Sequence, residues 1–426
     1  MTTGSRKHRD SYGHIITAAC FSIQAVGVGT YISYGVFFNP LMEAFGWPRA
    51  AISGASSTAF FITGLFGMLV GRLNDRFGPR MLMTIGAIFL GLGFGLTSRV
   101  STLFQLYLMF GIVFGIGLSA VEIIALTTVA RWFARNRGKM TGLVKVGTGA
   151  GQLTIPILAS FLIAATGFQN AFIIMGIAAA VLLIAISQFL YRDPDIYDAG
   201  ASAKIGSSDP AAGISAADTR PIQTVQPVQT AGIDFSEALK SPKLWLLCLS
   251  YMLTTFCLMS IMIHIVPYGR DMGISPHRAA GILATIGAIS MAGRFAGGLL
   301  IDRTGSKPIM IICFILLLTA LLWLTRADSL WEMYAFAMVY GIAHGGFFTA
   351  ISPMVAELFG IRSHGSVFSI AVFFGTTGGA LGPFVTGLLF DRLLNYTTAF
   401  AILILIAAIA FTLMLCLKVG PPSVTR

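Results

Sequence analysis

Three ionisable side chains lie where charge is costly. Glu122, Lys145 and Arg294 each interrupt a long apolar run of the chain. A charge deep in hydrocarbon costs about 2.5–3.5 kcal/mol by insertion scales, so each calls for a chemical reason. At 1.5 Å of helical rise per residue, Arg294, eight positions before Asp302, lies about 12 Å from the end of its run. By the same rise Glu122 lies about 13 Å deep, counted from Arg131, and Lys145 about 10 Å deep, counted from Gly138. An unpaired guanidinium facing a cavity is an anion site, because its planar fork matches a carboxylate. Glu122 and Lys145 sit at similar depth on consecutive runs, so they either pair with each other or add to that site. Arg294 pairing with Glu122 is the competing arrangement. The three charges sum to +1, which favours a singly charged anion over a dicarboxylate.

His264 and His344 also lie deep in apolar runs, where an imidazole can donate to a carboxylate, take up a proton near neutral pH, or simply pack. Tyr31, Tyr34 and Tyr340 can present a hydroxyl from an apolar wall. Phe373 and Phe374 would suit a small apolar tail.

A second set of charges sits in two matching turns. Gly71-Arg-Leu-Asn-Asp75-Arg76-Phe-Gly78-Pro-Arg80 is repeated as Gly298-Leu-Leu-Ile-Asp302-Arg303-Thr-Gly305-Ser-Lys307, 227 positions later, and Gly138 and Gly365 share that offset. The chain is therefore two copies of one unit, a pattern that points to transport. At the equivalents of the deep charges the other copy has Gly67, Thr349 and Val372, so the scaffold itself needs none of them. Asp75 and Asp302 can meet arginines such as Arg76, Arg80 and Arg131, or the positive N-terminus of a neighbouring helix. Glu357 is expected to pair with Arg303 or Arg131. Such contacts would latch one mouth of the protein and break when it opens.

The elements that hold these residues follow from composition. The 426 residues are 56% hydrophobic and 11% charged, with 48 glycines, and the mean hydropathy of +0.82 is that of a chain whose solvent is lipid. Twelve runs reach the roughly 20 residues needed to cross a bilayer. They fall at about 14–37, 50–71, 81–98, 102–130, 139–164, 169–191, 242–267, 278–301, 308–325, 329–356, 364–390 and 396–418. The expected fold is an all-α membrane protein of twelve transmembrane helices in two pseudo-symmetric six-helix bundles. The expected units are 1–191, a polar connection 192–241, and 242–426.

The net charge of +11 does not imply nucleic acid. Twenty of the 28 lysines and arginines fall on the side of the repeated turns, six on the other side and two within spans. This asymmetry predicts cytoplasmic termini in a multi-pass cell-membrane protein. The basic start of the chain is short and no small-residue cleavage site follows it, so the first run reads as a retained span. The five cysteines lie in apolar runs without metal-ligand spacing, and no metal, cofactor, nucleophile elbow or nucleotide loop is expected. The polar connection is rich in Ala, Asp, Ser, Pro and Thr. Its end, Asp234 to Pro242, reads either as a capped amphipathic segment or as a plain tether. Glycines at 142, 147, 149 and 151, and at 375, 378, 379 and 382, mark close helix packing.

The duplicated G-x-x-x-D-R-x-G turn resembles the signature loop of the major facilitator superfamily, across all twelve spans. Four further segments are similar to its monocarboxylate-transporter and oxalate/formate-antiporter branch. They are Tyr34-Gly-Val-Phe-Phe38, Arg131-Trp-Phe with Arg137-Gly138, Glu237-Ala-Leu-Lys-Ser-Pro-Lys-Leu-Trp245, and His264-Ile-Val-Pro-Tyr268. The resemblance implies two bundles around a central cavity and puts Arg294 on the eighth-span arginine that binds substrate carboxylate. The family's proton-coupling aspartate one turn earlier is Ser290 here, and the antiporter's second lysine is missing from the eleventh span. Lys145 is an addition that would serve either role. The expected activity is secondary transport of small monocarboxylates such as lactate or pyruvate-like acids, with a proton carried by Glu122 or His264. Exchange of organic anions, carriage of aromatic acids and a nutrient-sensing role are the alternatives. The expected partners are a small carboxylate, a proton or counter-anion, and the bilayer.

Overall fold

The computed structural model describes residues 3–134, 136–194, 232–393 and 395–418. Most of the polar connection, 195–231, lies outside the described residues, as do Arg135 and Arg426. Twelve helices among the described residues are long and apolar enough to cross a membrane. They are α1 (Tyr12–Phe45), α2 (Ala51–Phe77), α3 (Pro79–Arg99), α4 (Leu103–Trp132), α5 (Arg137–Thr166) and α6 (Phe168–Ser187). The second set is α7 (Pro242–Asp271), α8 (Gly281–Thr304), α9 (Ser306–Leu324), α10 (Leu330–Phe359), α11 (His364–Phe390) and α12 (Tyr396–Cys416).

Local chemistry explains the ends. Gly78 and Gly305 have φ of 83° and 84°, a left-handed setting that ends α2 and α8 and opens α3 and α9 without a side-chain penalty. α1 runs past the expected end at 37. A 3-10 turn, Tyr34–Phe37, passes into a second helical piece, Phe38–Phe45, which tolerates Pro40 because a first-turn N–H needs no helical partner. α6 stops short of 191, where Gln188, Phe189 and Leu190 tighten into i→i+3 bonds. Within α4, Tyr107–Phe114 widens to π geometry. Asp234 makes no side-chain cap on the short helix Phe235–Lys240 but pairs with Arg362 at 3.2 Å. Phe235 of that helix lies under the Arg72 guanidinium at 4.9 Å, which ties the end of the connection to the face of the repeated turns, here called the basic face.

Helices α1–α6 pack among themselves, as do α7–α12, and the two sets meet chiefly through α2 against α11 and α5 against α8. At the basic face these two seams are built alike. Gly71 lies on the backbone of Gly365, and Gly138 on that of Gly298, so that the four glycines at the repeat offset form two matching contacts. A Cβ at any of them would enter the facing backbone. Further in, Gly142 lies on the Arg294 carbonyl, Gly149 on Met291 and Gly379 on Phe60. Toward the opposite face, Gly54, Gly281, Gly382 and Gly387 touch only their own six-helix set. The seams are thus closed from the basic face to mid-depth.

Gly298→Leu is expected to destabilise by about 1–3 kcal/mol, the usual effect of overpacking. Gly287→Leu, at a site with no neighbour within 4 Å of an added Cβ, is expected to have little effect. Thermal unfolding of the detergent-purified variants, side by side, checks the contrast.

Candidate functional site

The deep charges meet where α4 and α5 face α8 and α10. On α4, Glu122 accepts two hydrogen bonds from Lys145 Nζ, at 2.8 and 3.0 Å. Gln24 Nε2 on α1 donates to the same carboxylate at 2.9 Å, and the Gln24 amide oxygen accepts the Thr148 hydroxyl at 2.9 Å. The Lys145 ammonium also stands 5.6 Å over the Phe348 ring. This network is internally neutral, with Lys145, Gln24 and Thr148 buried and Glu122 half-buried.

Arg294 is different. It is 3% exposed, and no described carboxylate pairs with it. Its Nη1 donates to the Lys145 main-chain carbonyl across the seam at a long 3.4 Å, and its Nε has no partner. Space for the guanidinium is left by Gly149, where a Cβ would come within 3.3 Å of Nη1. The charge of Glu122 reaches Arg294, but its oxygens are held by Lys145 and Gln24. The cluster therefore keeps one uncompensated positive charge, with fork geometry, at the junction of the two helix sets.

His344 on α10 is 5% exposed, with neither ring nitrogen partnered. Its ring is 5.0 Å from Phe348, and the next residue, Gly345, packs on the Arg294 backbone nitrogen. Other candidates fall elsewhere. The Tyr34 hydroxyl donates to the Ile52 carbonyl at 3.0 Å and its ring stacks on Phe110. Tyr340, fully buried, donates to the Leu258 carbonyl at 2.6 Å. His264 is held between the Pro383 carbonyl at 2.9 Å and the Tyr396 hydroxyl at 3.2 Å. These three have their polar atoms satisfied within packing contacts, which removes the chemical reason for a role at the cluster. Tyr31 is half-buried with its hydroxyl 3.2 Å from Ser56 Oγ, and Phe373 meets Phe61 across the α2–α11 seam at 6.3 Å. Sequence reasoning missed Gln24 and Thr148. Gln24 is visible as an amide inside the first apolar run, whereas Thr148 has no signal, because threonines commonly bond their own helix.

At the basic face both repeated aspartates cross the seams to helix N-termini. Asp75 accepts the N–H groups of Gly365 and Ser366 at 3.1 and 2.8 Å and the Ser366 hydroxyl at 2.7 Å. Arg131 holds the same carboxylate from its own half at 2.8 Å and also meets Asp193 at 3.3 Å. Asp302 accepts the N–H groups of Gly138 and Lys139 at 2.6 and 2.8 Å. The helix N-terminus, with its orphan donors and positive end, is the partner of each aspartate. Glu357 corrects the expectation of an arginine partner. It accepts the Ser306 N–H at 3.0 Å and the Ser306 hydroxyl at 2.8 Å. The cause is the first residue of each third helix: Pro79 opens α3 without an N–H, while Ser306 opens α9 with one that needs an acceptor. Arg76 and Arg80 lie over Phe77 and Tyr191 of their own half, and Arg303 is exposed, so the described contacts give none of the three a place in the latch.

Two outcomes are expected. Glu122→Ala strands a buried ammonium and is expected to destabilise by about 3–5 kcal/mol, with much of this recovered in a Glu122→Leu, Lys145→Met double variant. Chemical denaturation or thermal melts of the set check it. Asp75→Ala removes three charge-assisted bonds from the α2–α11 seam. It is expected to raise maleimide labelling of a Ser369→Cys reporter, buried at that seam, at least several-fold over the parent.

Comparison with known proteins agrees with this architecture. A family model described as Major Facilitator Superfamily matches residues 18–306 and 247–426. Monocarboxylate transporter 7 of Homo sapiens is 23% identical over 460 residues, covering 96% of this chain and 87% of its own. The oxalate:formate antiporter of Oxalobacter formigenes is 26% identical over 398 residues, covering 90% of this chain and 86% of its own. Among solved structures, a proton:xylose symporter bound to 6-bromo-6-deoxy-D-glucose has the same fold. Its TM-score is 0.73 at 14% identity, over 96% of this chain and 97% of that one. With the family match running over nearly the whole length, and twelve spans in two matching sets, the chain belongs to the major facilitator superfamily of membrane transporters.

Proposed function

We infer that this transporter carries small monocarboxylates, of the size of lactate or pyruvate, by alternating access. The observation that carries the reading is Arg294, a buried guanidinium without a carboxylate beside an ion pair that is already neutral. One uncompensated positive charge suits one carboxylate. A dianion would leave a second negative charge without a partner, since Lys145 is occupied by Glu122. The likeness to a monocarboxylate transporter and to an oxalate:formate antiporter supports an organic anion as cargo.

In this reading the basic face is cytoplasmic, as the excess of lysine and arginine there requires in the cell membrane. The units that rock are 1–191 and 242–426, joined by 192–241. The acid enters from the opposite face, its carboxylate meets Arg294, and the neutralised site lets the seams part. The Asp75 and Asp302 contacts release, their helix N-termini are hydrated, and the acid leaves inward. Coupling to a proton falls to Glu122, whose protonation would free Lys145 to follow the anion. His264, with both nitrogens engaged at the other end of α7, does not serve.

Arg294→Ala in proteoliposomes is expected to lower saturable lactate uptake at least a hundred-fold, and Arg294→Lys to restore little because the fork is lost. Saturable uptake of monocarboxylates that survived Arg294→Ala would refute the site. An imposed inward proton gradient is expected to accelerate uptake in the parent protein and not in Glu122→Gln. Indifference to the gradient together with acceleration by internal anion would mean exchange.

A further inference from the structure

Two other histidines in α7 and α11 have partners. His264 has both nitrogens bonded, and His364 places Nε2 3.1 Å from the Ser352 carbonyl. His344 has neither bonded, although at 5% exposed it is more enclosed than the half-buried His264. A buried polar group without a partner is unfavourable, and a packing histidine at this depth would be expected to find a carbonyl. The second buried orphan in the same cluster is Nε of Arg294. The two are joined by short links. Gly345 lies on the backbone of Ser290 and Arg294, the Thr349 hydroxyl donates to the Arg294 carbonyl at 3.4 Å, and the Phe348 ring lies 5.0 Å from the His344 ring and 5.6 Å from the Lys145 ammonium. α10 thus carries an unused imidazole one residue from its contact with the segment of α8 that carries the unused guanidinium.

We propose that His344 is a specificity-determining residue that hydrogen-bonds a second oxygen of the substrate, a hydroxyl or keto group close to the carboxylate held by Arg294. This rests on the reading of Arg294 above and narrows it to hydroxy and oxo acids. The chemistry of the ring supports both kinds. A neutral imidazole has one donor and one acceptor nitrogen. The acceptor takes a hydroxyl proton and the donor meets a keto oxygen. An alkyl acid of equal length fills the same space and leaves the imidazole unmatched, which is the strong form of discrimination available to a buried site. The flanking Phe348 ring, 5.0 Å away, limits the room for a larger substituent.

The test is competitive uptake of lactate, pyruvate and propionate by proteoliposomes holding the full chain, its Arg294→Ala variant, His344→Phe and His344→Asn. The parent is expected to favour lactate and pyruvate over propionate by about 10- to 100-fold. His344→Phe is expected to bring lactate and pyruvate down toward propionate, with the ratio near one. His344→Asn, which keeps a donor and an acceptor at shorter reach, is expected to give an intermediate ratio, and it decides the matter should the phenylalanine variant not fold. A parent that does not discriminate, or a ratio unchanged in either His344 variant, overturns the assignment. If uptake in that case still depends on Arg294, the carboxylate site stands and only the role of His344 falls. If none of the three acids enters in an Arg294-dependent way, both fall together.

Discussion

Removing a guanidinium from water without giving it an anion is among the more expensive things a membrane bundle can do, and the middle of this protein is arranged to keep it that way. Glu122 is the natural partner for Arg294, and its charge reaches that far. Two bonds from Lys145 and one from Gln24 hold its oxygens elsewhere, and Thr148 fixes Gln24 in turn. Lys145 therefore does more than neutralise a carboxylate. It prevents a salt bridge between the two halves that would fill the proposed anion site and pin α4 to α8. Glycine at 149 leaves the space in which the guanidinium lies. The result is a charge held ready, with the cost carried by the packing of the seam.

The seams themselves depend on the repeat. A contact made by Gly71 with Gly365 recurs as Gly298 with Gly138, and the aspartate one turn beyond each glycine reaches the N-terminus of the helix it crosses. In the proposed transport cycle, main-chain N–H groups suit a gate better than arginines would. They are fixed by the helix, they lose little on being hydrated when the seam opens, and they need no side-chain rearrangement to close again. Where the halves differ, the difference is local and has a cause. Glu357 answers the N–H of Ser306, and its counterpart in the first half is unnecessary because Pro79 has none.

Much was legible before any fold was known. Hydropathy and helical rise are properties of neighbouring residues, so the twelve spans, the internal duplication and the depth of Glu122, Lys145 and Arg294 could be read directly from the chain. The capacity of Asp75 and Asp302 to meet a helix N-terminus was legible for the same reason, since it depends on their place at helix ends. Their partners were not. By sequence Glu357 was suited to Arg303 or Arg131, and the geometry of the α9 start gives it Ser306 instead. Gln24 was a single amide in an apolar run until α1 turned it toward Glu122.

The two histidines make the same point most sharply. In the sequence His264 and His344 are alike, each an imidazole deep in an apolar span. In the fold one is tied to Pro383 and Tyr396 and the other is left with neither nitrogen bonded, one residue from the α10 contact with the Arg294 backbone. Likewise Tyr34 and Tyr340 are indistinguishable from cavity-lining tyrosines until their hydroxyls are seen on the carbonyls of Ile52 and Leu258. The chain by itself determined how many helices cross, how they repeat and which of them bear charge, because those follow from composition along one dimension. Tertiary structure alone decided which charge is paired and which is free, because pairing depends on how helices far apart in sequence are rotated and pressed together, and a few tens of degrees of rotation exchange a binding group for a packing one.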